Sequence, residues 1–146
     1  MRGWPYHRAP TPTNTFGLNQ NCYYCVVAAL LETNTDELVK RTETMQQDCA
    51  TAEQIDDLMK AAGMNPKVTT YHDLQSIRQD LATLPFGQQV GLAYVRNDGT
   101  GHMIVAVRDG TGDAGFYDPQ QANMVFTRDF PENLATVHEI TIFSQQ

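Results

Sequence analysis

An α+β fold, with N-terminal helices packed on a C-terminal antiparallel β-sheet, is what this chain predicts, and two observations carry that expectation. Up to about residue 83 the apolar residues recur at helical spacing between capping residues. From Val90 onward, β-rich runs alternate with turn clusters built on Asn, Asp and Gly. Helices followed by consecutive hairpins segregate into two layers, and hairpin strands pair antiparallel. The 146 residues are 41% hydrophobic, enough for one domain with its own core and few for two.

Residues 1–20 hold Pro5, Pro10 and Pro12 among Thr and Asn with no apolar period, and read as an irregular arm or the remnant of a linker; the domain proper spans 21–146. Asn21 is a good N-cap, and Cys22, Cys25, Val26, Ala29 and Leu30 follow it at helical spacing. Short helices are expected at about 36–43 and 52–62, the second opened by a Thr51/Gln54 capping box and closed at Gly63. Another is expected at about 73–83, capped near His72 and stopped before Pro85. Strands follow at Val90–Arg96, His102–Arg108, Ala114–Asp118, Met124–Thr127 and Thr136–Phe143, with turns at 97–101 and 109–113.

Seventeen acidic against ten basic residues give a net charge of −7 without any Lys/Arg cluster. Phosphate affinity comes from positive charge, so nucleic acid and anionic membranes are disfavoured as partners. The longest apolar run, Cys25 to Leu31, is far too short to cross a bilayer, so no membrane insertion is expected. The N-terminus lacks the charged and apolar blocks of a signal peptide, so export would depend on something else. Three cysteines do not make a disulfide framework.

Cys22 falls at the first position of the first helix, where partial positive charge and unpaired N–H groups favour thiolate over thiol and can hold an oxyanion. Of the four histidines, His7 lies in the arm, His72 near a cap and His138 in the last strand. His102 opens a strand apolar on both faces, hence central, which suits a supported general base. If the following hairpin pairs Arg108 with Ala114, then Asp118 and Gln120 share a face with His102, and the carboxylate comes within reach of the imidazole. An even loop would put Asp118 on the other side. Asp118 would then fix the tautomer and stabilise the imidazolium. Each residue also has a plainer reading: Cys22 as a buried thiol, His102 as a core histidine, Asp118-Pro119 and Gln120 as a turn. Cys25 reads as a packing residue and only secondarily as a nucleophile. The C-x-x-C could open a redox helix, but residues 1–20 offer no strand before it; structural zinc lacks a second paired motif, so no metal site is expected.

Asn21-Cys22-Tyr23-Tyr24-Cys25-Val26-Val27-Ala28, then Gly101-His102, then Phe116-Tyr117-Asp118-Pro119-Gln120, resembles the papain-fold toxin domains of bacterial polymorphic toxins and secreted effectors, relatives of effectors that deamidate protein glutamine. The order Cys, His, Asp fits that family, with 80 residues between the first pair and 16 between the second. The resemblance implies a papain-like fold with Cys22 as nucleophile, His102 as base, Asp118 as orienting acid and Gln120 in support; Gln20 would assist the oxyanion, though two residues before Cys22 is not the papain spacing. It implies a toxin delivered by a secretion system into the cytoplasm of a target cell, acting on a target protein, with a cognate immunity protein guarding the producer. Deamidation of a glutamine side chain is the favoured reaction; peptide-bond or cell-wall amide cleavage and a catalytically silent binding module are the alternatives. No cofactor is required.

Overall fold

A computed structural model describes residues 22–43, 52–71, 77, 79–81, 83, 88–97, 101–108, 114–119, 126–127, 129–130 and 137–145, the side chains of Cys22, Ala114, His138 and Gln145 excepted. Helix α1 (Cys22–Leu30) has the sequence CYYCVVAAL and no polar face, so it can persist only where it is covered all round. Tyr23 through Ala28 are accordingly all buried. The helix ends with Glu32 in the left-handed conformation and the Thr33 N–H donating to the Ala28 carbonyl, the pattern of a Schellman stop.

Helix α2 (Thr35–Thr42) is opened by Asn34, whose side-chain oxygen accepts from the Glu37 N–H at 2.9 Å. Its acidic residues Asp36 and Glu37 sit in the first turn and its basic residues Lys40 and Arg41 in the last, each sign at the favoured end of the helix dipole. Helix α3 (Ala52–Ala61) turns Ile55, Leu58 and Met59 inward, and Gly63, at φ +87°, reverses the chain after it. Both helices stand where their periodicity put them. Thr51 of the expected capping box, Asn21 and the arm 1–20 lie outside the described residues. Of the helix expected at about 73–83, Ile77, Gln79, Asp80 and Leu81 are helical.

The strands are β1 (Pro66–Tyr71), β2 (Gln89–Arg96), β3 (Gly101–Arg108), β4 (Ala114–Tyr117) and β5 (Val137–Gln145). They form one sheet in the order β1-β5-β2-β3-β4, with every neighbouring pair antiparallel. Of the expected strand Met124–Thr127, Thr127 makes a single bridge to Phe116. Side-chain alternation gives the sheet two buried faces. On one, Met103, Val105, Tyr117 and Phe143 pack with α1, α2 and α3. On the other, Leu92, Tyr94, Ile104, Phe116 and Ile142 pack with Ile77 and Leu81. α1 lies close to the sheet at Gly91, where an added Cβ would meet Val26 Cγ1 at 3.3 Å and Phe143 Cβ at 3.6 Å.

This corrects the fold expected from the motifs. The arrangement is a single five-stranded antiparallel sheet with helical cover, not a papain-like architecture, and the chain does not divide into N-terminal helices and a C-terminal sheet. β1 is the reason: it arises directly after α3 and docks on β5, the last strand of the chain. Its sequence PKVTTY offers no apolar alternation because it is an edge strand, largely exposed, with Val68 42% open to solvent. The β-branched run Val68-Thr69-Thr70 was its only signal.

Candidate functional site

The β3–β4 hairpin places the clearest polar constellation of the described residues. Arg108 faces Ala114 and Val105 faces Tyr117, the odd-loop register, so Asp118 falls on the same face as His102 and Ile104. His102 Nε2 and Asp118 Oδ2 are 2.7 Å apart, with the two side chains 19% and 23% exposed. β4 ends at Tyr117, one residue before Asp118, and Pro119 after it has no N–H for a ladder. The carboxylate therefore sits where pairing stops and can turn toward the ring. An ionised carboxylate only accepts, so with Asp118 ionised His102 Nε2 is the donor in this bond.

The sheet also determines what lies beside the pair. Tyr94 is directly opposite His102 on β2, and the two rings meet nearly perpendicular at 79°, centroids 5.9 Å apart. Tyr94 in turn meets Phe130 at 5.3 Å, and the Arg96 guanidinium lies 5.4 Å from the Tyr94 ring centre. The sequence reading passed over Tyr94 as an ordinary strand residue. Folding the hairpin symmetrically about the 97–101 turn pairs Arg96, not Tyr94, with His102, so the turn signal alone did not give this partner.

Cys22 is the first residue of α1, as its motif requires, and its side chain lies outside the described residues. Glu32, just past the helix, acts electrostatically on Tyr117, and the Tyr117 hydroxyl donates to Gln89 Oε1 at 2.6 Å. Gln89 pairs with Val107, at the far end of the ladder from Gly101. Val26, in the middle of α1, lies over Gly91 of β2. α1 packs on the face of Met103 and Val105, whereas His102 belongs to the face of Ile104. α1, which begins at Cys22, and His102 thus belong to opposite faces of the sheet.

Cys25 is wholly buried and in no disulfide, a packing residue of α1. Gln120, Gln20, His7, His72 and Cys49 lie outside the described residues. Among the described residues no group of three His, Cys, Asp or Glu is arranged to hold a metal ion, and no helix is long and apolar enough to cross a membrane.

The model of the family described as Protein YopQ matches residues 7–142. Protein YopQ of Yersinia enterocolitica is 26% identical over 127 residues, covering 85% of this chain and 69% of that protein. The chain belongs to the YopQ family, and that membership supports a bacterial effector role. It also overturns the resemblance to papain-fold toxins and, with it, the kinship to glutamine-deamidating effectors. The motifs that carried the resemblance are short and spread over a chain of which residues 7–142 match a different family.

Proposed function

We propose that this member of the YopQ family is an effector delivered by a secretion system and active in the recipient cytoplasm, where it hydrolyses an amide of a target protein through Cys22, His102 and Asp118. Delivery is supported by the family. The chemistry is supported chiefly by one observation: a histidine already held by a carboxylate, the 2.7 Å His102–Asp118 pair, in a chain whose α1 begins at Cys22.

His102, held by Asp118 at Nε2, accepts the Cys22 thiol proton at Nδ1. The thiolate attacks the amide carbonyl carbon, forming the C–S bond, and the oxyanion is stabilised at the positive end of the α1 dipole. Collapse breaks the C–N bond, and the imidazolium protonates the departing nitrogen. Water, deprotonated by His102, then attacks the thioester and releases the acid and the thiol. Asp118 stabilises the imidazolium in both steps. Gln20 and Gln120 are candidate supports for the oxyanion and the His–Asp pair. The leaving group decides the product: ammonia for side-chain deamidation, a backbone amine for proteolysis. A guarding partner in the producer is required only where the target is bacterial.

One observation favours a second reading, an effector that acts by binding alone: α1 and His102 pack on opposite faces of the sheet. Expression of the wild type and Cys22→Ala in a recipient cytosol, followed by proteome mass spectrometry, separates the readings. Hydrolysis predicts a Gln-to-Glu conversion or a new peptide terminus on one target, abolished by Cys22→Ala. An effect on the recipient that survives Cys22→Ala unchanged, with no altered peptide, contradicts it and favours binding.

A further inference from the structure

We infer that Tyr94 is the positioning residue that fixes the plane of the His102 imidazole. β3 lies between β2 and β4, so His102 is gripped from two neighbours: Asp118, just past β4, takes Nε2, and Tyr94 on β2 meets the ring from the other side. The bond to Asp118 holds one edge of the ring, and packing against a rigid neighbour restricts the tilt of its plane. Tyr94 is such a neighbour. It is 2% exposed, is the register partner of His102, where Cβ atoms stand about 4.5–5.5 Å apart, and is itself braced by Phe130, which packs perpendicular to Phe116 at 5.6 Å. The charged and titratable groups described around the imidazole are Asp118, Tyr94 and, beyond the Tyr94 ring, Arg96.

The consequence is chemical. With Nε2 committed to Asp118 and the plane set by Tyr94, the direction of the Nδ1 edge is fixed, which is what a general base needs. That consequence rests on the cysteine-hydrolase reading, whereas the placement of the ring does not.

NMR of the full chain with labelled histidine tests both. The wild type should show His102 as the Nε2–H tautomer, its ring protons displaced by the Tyr94 ring current. Tyr94→Phe, which keeps the ring, should preserve both signatures. Tyr94→Met, which keeps apolar bulk without a ring, should lose the ring-current displacement, mix the tautomers, and slow iodoacetamide alkylation of Cys22 at neutral pH by roughly tenfold. An unchanged tautomer and unchanged ring-proton shifts in Tyr94→Met overturn the inference. So do wild-type ring protons at ordinary shifts, a result that needs no variant to fold. If wild-type Cys22 reacts no faster than an ordinary thiol, the hydrolase reading falls while the histidine signals still decide the role of Tyr94.

Discussion

The two faces of the sheet are both buried, yet they are built differently. The face under α1 is closed by a helix with no polar side, and Val26, Val27, Ala28 and Phe143 are each 0% exposed. The opposite face has an equally apolar centre, with Leu92 and Val90 at 0%, but it runs out at the Gly101 end into His102, Asp118, Tyr94 and Arg96. One face is a packing surface throughout; the other trades packing for polar groups at its margin. Stability should therefore concentrate on the first and sensitivity of chemistry on the second.

The largest expected effect lies on the helix face. Phe143→Ala removes a ring that closes the contact between α1 and the sheet, and should cost about 3–5 kcal/mol in urea unfolding. A loss under 1 kcal/mol would mean that α1 does not depend on this face.

A smaller effect sharpens the comparison through a polar contact on that face, the Tyr117–Gln89 hydrogen bond. Burial, and secondarily the charge of Glu32, push the Tyr117 hydroxyl well above its ordinary value of 10.0. The folded state therefore keeps the neutral phenol while the unfolded chain ionises near pH 10, so this contribution is intact below pH 10 and declines as pH rises beyond it. Tyr117→Phe deletes the donor to Gln89 and should cost about 1 kcal/mol at neutral pH. It should also remove the Tyr117 share of the alkaline loss, read from thermal unfolding between pH 8 and pH 11. An alkaline limb identical in both proteins would contradict that origin.

How much of this was legible in the sequence follows the same division. α2 and α3 are written locally, in Asn34, in apolar positions such as Leu38 and Ile55, and in Gly63, and local signals survive folding. The His102–Asp118 pairing was legible because one hairpin of fixed loop parity sets it. β1 was not, because an exposed edge strand needs no apolar alternation and its partner, β5, lies some seventy residues away. The relation of α1 to His102 was equally hidden: helical periodicity says that α1 is buried, not which face of the sheet buries it. The short motifs suggested a papain-like protein for the same reason, since matching residues at matching order carries no information about faces.

The most direct measurement is the rate at which iodoacetamide alkylates Cys22, followed by peptide mass spectrometry across pH 5–9 in the wild type and in His102→Gln. His102 is mostly buried and bonded to a carboxylate, but Gln keeps a donor in its place, so the change should cost about 1–3 kcal/mol of stability, and thermal unfolding confirms that the variant is folded. A Cys22–His102 couple predicts rapid labelling of the wild type near neutral pH and a variant that labels only as an ordinary thiol ionises, near pH 8.5. Superimposable profiles would contradict it, and would leave the sheet standing between a helix that packs and a histidine that acts without it.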